Sequence, residues 1–354
     1  MNLLFITVRS DFGGGPKHVD QLIKNLPNNI NIYMAYPING DPYSIIWDSE
    51  NRIKGKVYIP YRKFSFKYLF KLYKFIKENN INIVHSHGNG AGFYSRGLKM
   101  IGCKAKIIHT FHGISDQYTS KFKYIINILS GIFFKHFTDK FILVSNGELN
   151  SGRNKRILFE SKSQVIYNGI ENPSLSKSIQ NKTFNIITIS RFDYQKNMDF
   201  AYEIAYAFKN NPNIKFIWIG DGDDYEILKE KANRNNVNID FTGFTTKPLN
   251  YLINGSIYLS TSRFEGLPYA LIEAASLKLP IIATDVVGNN EVVIHGENGF
   301  LFSNKEEAIQ YINLLYNNSE LYDKMEYNVY TSYIDKFTIN TMISQLISVY
   351  NNII

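Results

Sequence analysis

The chain has 354 residues, 44% of them hydrophobic, which is too long for one ordinary core and predicts two domains. Its single cysteine, Cys103, excludes an internal disulfide framework and fits a reducing compartment. The formal net charge of +8 is unevenly placed: residues 1–170 carry 24 Lys+Arg against 10 Asp+Glu and the remainder 15 against 21, so the first half is the one suited to an anionic surface.

Residues 2–8 read as a buried strand. No basic segment precedes this short apolar run, so it does not look like a signal peptide, and no apolar run is long enough to span a bilayer. A cytoplasmic protein, soluble or lying on a membrane surface, is expected. Asp11-Phe12-Gly13-Gly14-Gly15-Pro16-Lys17-His18 follows, then a helix to about residue 26. Glycines let a backbone approach a ligand closely, and Pro16 starts a helix whose N-terminus favours an anion. The turn is neither a P-loop nor a GxGxxG fingerprint.

Further strands are expected at 30–35, 57–59, 83–85 and 106–109. Between them, residues 66–78 form a helix in which Lys67, Lys71, Lys74 and Lys77 alternate with aromatic and aliphatic residues, and a second basic, aromatic stretch runs over 121–140. These are either amphipathic helices with solvated lysines or docking faces for an anionic membrane. His85 and His87 flank Ser86 at a strand end, with no third ligand evident nearby, so no metal is assigned to them. His109 and His112 follow another strand end, and the strand ends of open parallel sheets are where ligands bind. Residues 140–145 read as a strand, with Asn146-Gly147-Glu148 as its ligand-facing turn. The polar stretch 171–183 reads as a hinge.

The second half repeats the alternation. Residues 184–189 form a strand, and 190–197 the turn into a helix. Arg191 and Lys196 are expected to point into one pocket, the one a planar fork and the other a point charge, a pairing that suits a diphosphate. The strand at 215–219 ends in Gly220-Asp221-Gly222-Asp223-Asp224, and another strand and loop span 240–244. Residues 257–259 end a strand, 260–266 form a loop, 267–277 have helical periodicity with Pro268 in the first turn, and 281–284 form the next strand. Glu265 is thus in the loop and Glu273 in the helix. Eight helical steps would separate them by about 12 Å along the axis. Two carboxylates that cleave a glycoside must flank one bond; this spacing suits two anchors on one elongated ligand.

Phe-Glu-Gly-Leu-Pro around Glu265 and Leu-Ile-Glu-Ala-Ala around Glu273 resemble the Glu-x7-Glu signature of retaining glycosyltransferases with the GT-B fold, family 4 in particular, of the bacterial surface-polysaccharide type. The resemblance implies an α/β protein of two Rossmann-like domains facing each other across a cleft. Residues 1–170 would be the acceptor side, with 338–354 crossing back to it, and 171–337 the nucleotide-sugar side. Glu265 would hold the donor sugar, with Gly266 and Leu267 beside it, and Glu273 the ribose. Arg191 and Lys196 match an Arg-x4-Lys pair for the diphosphate. Gly14 and Gly15 match the first loop, Gly220 a Gly-x-Gly turn, and Phe244 the segment against the base. His112 matches a histidine beside the reacting carbon, and His18 and His87 are assigned to the acceptor. Val287-Gly288-Asn289-Asn290-Glu291 resembles Gly-Gly-x-x-Glu, with Asn289 in place of the second glycine, and residues 298–301 match a closing turn.

The resemblance implies a reaction that moves a sugar from a nucleotide-sugar, a UDP-hexose or UDP-N-acetylhexosamine, to a glycan or polyprenyl-diphosphate-linked acceptor with retention. His112, Arg191, Lys196 and Glu265 would be catalytic. No metal cofactor is expected, so Asp221 and Asp223 are not read as ligands, and nucleic acid is not an expected partner. A nucleotide-sugar epimerase of the same fold and a non-catalytic sugar-nucleotide-binding protein are the alternatives.

Overall fold

The structure is a computed structural model that describes residues 1–114, 121–173 and 183–354. Two units divide the chain. Unit 1 comprises Met1–Asn168 and Ile339–Ile354, and unit 2 comprises Gly169–Thr338. Most of the expected hinge at 171–183 lies outside the described residues.

Unit 1 alternates β1 (Asn2–Thr7), α1 (Gly14–Asn25), β2 (Asn31–Tyr36), α2 (Pro42–Ser49), β3 (Ile53–Tyr58), α3 (Phe66–Glu78), β4 (Ile83–His87), α4 (Asn89–Met100), β5 (Lys106–Thr110), α5 (Lys121–Phe134), β6 (Lys140–Leu143), α6 (Asn146–Asn154) and β7 (Ser163–Val165). The strands form one parallel sheet in the order β3-β2-β1-β4-β5-β6-β7. Leu3, Leu4, Phe5 and Ile6 of β1 are all fully buried, as a continuous apolar run must be when helices cover both faces of a parallel sheet. The sheet order reverses between β1 and β4. Outside the carboxyl ends of those two strands lies the crevice where open α/β sheets bind ligands. The loop after β1, the end of β4 and the loop after β5 all lead there.

Unit 2 alternates β8 (Phe184–Ile189), α7 (Met198–Ala207), β9 (Ile214–Ile219), α8 (Tyr225–Arg234), β10 (Ile239–Gly243), α9 (Leu249–Leu252), β11 (Ile257–Ser260), α10 (Tyr269–Ser276), β12 (Ile281–Thr284), α11 (Asn289–Val292), β13 (Gly299–Phe302), α12 (Lys305–Asn317) and α13 (Ser319–Lys336). Its parallel sheet runs β10-β9-β8-β11-β12-β13, so the order reverses between β8 and β11. The last helix, α14 (Ile339–Ile353), belongs to unit 1, where Met342, Leu346 and Tyr350 join the core of β1, α1 and β2.

Several expectations change. The third strand begins at Ile53 rather than 57, because its polar Lys54, Gly55 and Lys56 mask an alternation with buried Ile53 and Val57. Asn146-Gly147-Glu148 is not a turn but the first turn of α6. Ser145 caps it, its hydroxyl accepting the Glu148 N–H at 3.1 Å. Pro268 is not inside α10: it is the extended residue before it, with φ −75° and ψ 123°. The eight steps from Glu265 to Glu273 are therefore only partly helical, and the 12 Å axial estimate does not apply. Of residues 298–301, expected as a closing turn, 299–301 lie in strand β13.

Candidate active site

In unit 1 the crevice between β1 and β4 gathers three imidazoles. His18 comes from α1, His87 is the last residue of β4, and His112 stands two residues past β5. His87 Nδ1 and His112 Nε2 share a hydrogen bond of 3.2 Å, and the His18 and His112 ring centroids lie 4.8 Å apart, edge to face. His18 Nδ1 is 3.0 Å from Asn168 Oδ1. Since an amide oxygen only accepts, Nδ1 carries the proton. Gly15 backs this group: a Cβ there would sit 3.7 Å from His112 Cδ2, in ordinary contact, so the first loop runs along the imidazole. Burial pushes the His18 pKa down to about 4, with the Asn168 bond opposing. Burial also holds His87 and His112 well below the usual value, helped by repulsion from neighbouring imidazoles. The cluster is therefore neutral at pH 7.

His85 does not join it. Its two ring nitrogens are taken by Tyr350 Oη at 2.8 Å and Thr110 Oγ1 at 2.7 Å. His85 is therefore not available as a ligand, and the fold brings His18 and His112 to His87 instead. His18, His87 and His112 each place a nitrogen within 4.8 Å of the others, the one group among the described residues with metal-ligand geometry. The His112 loop is itself anchored by Glu148, which is 1% exposed. Its Oε1 accepts the N–H groups of Gly113 and Ile114, the latter at 3.0 Å, and its Oε2 that of Val144 at 3.1 Å. Nothing in the spacing of the sequence announces this contact across 35 residues.

In unit 2 the loops after β8 and β11 meet at the switch point. Thr261 Oγ1 donates to the Lys196 carbonyl at 3.0 Å, and the Arg263 N–H donates to the Gln195 carbonyl at 2.8 Å. These bonds bring Lys196 Nζ to 2.6 Å from Glu265 Oε1, with the side chains 19% and 8% exposed. Arg191 reaches the same carboxylate indirectly. It donates to Gln195 Oε1 at 3.0 Å and pairs with Asp193 at 3.0 Å, while Gln195 Nε2 donates to the Phe264 carbonyl at 3.0 Å and contacts Glu265 Oε2 at 3.4 Å. Gln195 was invisible in the sequence because its partner is 70 residues away. Glu273 is buried on α10, and its charge and that of Glu265 both raise the pKa of the buried Tyr258 phenol, after the larger effect of burial. Tyr258 Oη donates to the Ile189 carbonyl at 3.0 Å, at the end of β8.

Two glycines make these loops possible. Gly220 has φ +136°, and a Cβ on it would lie 1.8 Å from the Ser190 carbonyl oxygen, so the β9 turn lies directly on the backbone that carries Arg191. Gly288, with φ +88°, would place a Cβ 2.5 Å from the Gly266 oxygen, so its loop seats the Glu265-Gly266 backbone. Asn289, standing where the family pattern has glycine, is fully buried and donates to the Thr284 carbonyl at 3.0 Å. Leu267 is buried beneath this loop, while Phe244 is half exposed at the end of β10. Asp221 Oδ1 accepts the Gly222 N–H at 2.8 Å, a local turn bond.

Residues 12–172 match the family model described as Glycosyltransferase Family 4, and residues 172–332 the model described as Glycosyl transferases group 1. The capsular polysaccharide biosynthesis glycosyltransferase CapH of Staphylococcus aureus is 31% identical over 249 residues, 66% of this chain and 68% of that protein. The chain is a family 4 glycosyltransferase. Among similar proteins, the UDP-Gal:alpha-D-GlcNAc-diphosphoundecaprenol alpha-1,3-galactosyltransferase of Escherichia coli is 27% identical over 66% of this glycosyltransferase and 66% of its own length. Its fold is also that of Anabaena Alr3699/HepE, solved in complex with UDP and glucose: TM-score 0.86, 16% identity, 99% of this chain and 100% of the other covered. Its two parallel sheets are therefore the Rossmann-like domains of the GT-B fold.

Proposed function

We propose that this glycosyltransferase moves a sugar from a UDP-sugar, with retention of anomeric configuration, onto a glycan or polyprenyl-diphosphate-linked acceptor of a surface polysaccharide. The observation that carries this reading is the convergence of Lys196 and, through Gln195, Arg191 on Glu265 at the switch point of unit 2. As a donor's glycosidic bond breaks, negative charge grows on the departing diphosphate. Two preorganised cations stabilise that charge without reorganising, and they act at the step where it develops. Glu265 then serves as acceptor for sugar hydroxyls and Glu273 for the ribose. Gly14, Gly15 and Gly220 give close backbone approach, with Gly266, Leu267 and Phe244 completing the donor side. His112, neutral and backed by Gly15, is the group assigned to the reacting carbon, with His18 and His87 toward the acceptor. Two cations in place of a metal make the chemistry metal-independent.

The E. coli relative is named for a UDP-sugar donor and a diphosphoundecaprenol acceptor, and the Anabaena structure holds UDP and glucose, which favours the same ligand classes here. A peripheral stay on the membrane fits α3, where Lys67, Lys71, Lys74 and Lys77 are exposed beside exposed Phe66 and Phe70. Each lysine near an anionic surface contributes about 1 kcal/mol. No helix among the described residues is long and apolar enough to cross a membrane.

The test is a screen of UDP-, GDP- and ADP-sugars for protection against thermal unfolding, since a ligand bound only by the native state raises the midpoint. UDP-sugars should protect, and protection by none of them would overturn the donor assignment. Release of UDP only when acceptor is added separates a transferase from an epimerase.

A further inference from the structure

The imidazoles of His18, His87 and His112 all belong to unit 1 and come from three separate places in it, α1, the end of β4 and the loop after β5. Each places a ring nitrogen within 4.8 Å of the other two. Their hydrogen bonds suit a metal. Asn168 Oδ1 takes the proton of His18 Nδ1 at 3.0 Å, so the lone pair of that ring is on Nε2. Asn168 thereby does for His18 what an outer acceptor does for a metal-bound histidine, fixing the tautomer and the ring orientation. His87 is 4% exposed, and among the described residues its buried Nε2 has no hydrogen-bond partner. A buried ring nitrogen left in that state calls for an ion or a water. Its Nδ1 shares one proton with His112 Nε2 across 3.2 Å.

Zinc holds imidazole nitrogens at about 2.0–2.1 Å, which sets tetrahedral ligands about 3.3 Å apart. His87 and His112 already stand at that spacing, with a proton where an ion would go. The widest gap in the group exceeds it by about 1.5 Å, which small rotations of the rings close. Three imidazoles and no carboxylate select zinc or another late first-row ion over magnesium, manganese or calcium, which prefer oxygen ligands. Three protein ligands also leave a fourth position open. Arg9, on the loop after β1, is paired with Asp11, its Nε donating to Oδ1 at 2.8 Å, so it does not oppose an ion here as a bare cation would. An ion held by the group takes the lone pair of His112 and fills the space beside it.

We infer that His18, His87 and His112 form a zinc site and that zinc bound there stops transfer. The site stands on geometry; its effect on transfer rests on the assignment of His112 to the reacting carbon proposed above. The experiment takes the full chain, stripped with EDTA and freed of the chelator, and adds zinc. Calorimetry should show one zinc per chain and the unfolding midpoint should rise, with magnesium and manganese giving neither. Cobalt should bind the same site and show the intense visible bands of a tetrahedral ion, a readout that needs no variant. His87→Gln and His18→Gln should each weaken zinc at least tenfold. Asn168→Leu, which removes the acceptor from His18 without touching a ligand, should weaken it about tenfold or more. His136→Gln, at an exposed histidine outside the group, should leave the affinity unchanged. Transfer should fall with the same half-point as binding, while UDP still raises the midpoint of the zinc-loaded chain. Absence of zinc binding, or binding that survives both His87→Gln and His18→Gln, overturns the site. Undiminished transfer at saturating zinc, or a stripped chain that needs zinc for turnover, overturns the inhibitory role. Failure of the donor reading would show separately, as absence of UDP protection in the metal-free wild type.

Discussion

Lys196 and Glu265 are one ion pair whose removal can be measured apart from its chemistry. Glu265 is 8% exposed and Lys196 19%, so Lys196→Met leaves a nearly buried carboxylate with Gln195 as its remaining neighbour at 3.4 Å. Breaking a buried pair by removing one partner costs about 3–5 kcal/mol, and partial access of water to Nζ places this one near ~3 kcal/mol. Glu265→Gln should cost about 2 kcal/mol, since the amide still accepts one hydrogen bond but strands the ammonium. The double variant should lose much less than the sum, with a coupling of about 2 kcal/mol. The protein holds two tryptophans, Trp47 in the core of unit 1 and Trp218 in that of unit 2, both fully buried. In a Trp47→Phe background, urea unfolding followed by Trp218 fluorescence reports on unit 2. Turnover should stay lost in the double variant, because recovering stability does not replace the cation proposed to face the diphosphate. A coupling below ~0.5 kcal/mol, or a double variant with near-normal turnover, would refute the reasoning.

Calorimetry with UDP should show weaker binding for Glu273→Ala and unchanged binding for Glu265→Ala, which instead impairs use of the whole donor; equal losses would end that division of roles. Gly220→Ala should destabilise by several kcal/mol or more, since its Cβ would lie 1.8 Å from the Ser190 oxygen, whereas Gly296→Ala, also at positive φ but with nothing within 4 Å, should cost only about 1 kcal/mol. His18, His85, His87 and His109 all have native pKa values below the unfolded value of about 6.5, so their stability is present above that pH and is lost as pH falls through it. Between pH 7 and 5.5, His18 alone, at about 4, should account for about 1 kcal/mol, and a flat stability profile over that range would contradict its burial as a neutral ring. Transfer should survive EDTA. Loss restored by magnesium or manganese would point to Asp221 and Asp223, and loss restored by zinc to His18, His87 and His112.

The strands and helices legible in the sequence were those with an uninterrupted apolar period. Residues 66–78, 184–189 and 281–284 fold with the expected ends, as α3, β8 and β12. Helix α2 was missed because its eight residues bury only Tyr43, Ser44 and Trp47, too few to show a period. Single site residues such as Glu265 and Lys196 stood out by local motif, but their pairing spans 69 residues. The same holds for Glu148 with Gly113, Gln195 with Glu265, and the meeting of His18 with His112. Those depend on which strand ends the sheet order places side by side, and no local pattern encodes that.

Unit 2 interrupts unit 1, since α14 supplies Met342, Leu346 and Tyr350 to a core otherwise built from residues before 169. On the ribosome, β1 through β7 emerge complete but wait for that last helix through about 170 further residues, on the order of ten seconds or more at ordinary synthesis rates. The intervening segment is continuous and can finish first. The usual vectorial order is thus inverted: the half that begins translation ends folding last, with His85 lacking its Tyr350 partner until then. A nascent chain arrested near residue 338 would carry a finished unit 2 and an unsealed unit 1, which makes the latter the natural target of chaperones and of quality-control proteases.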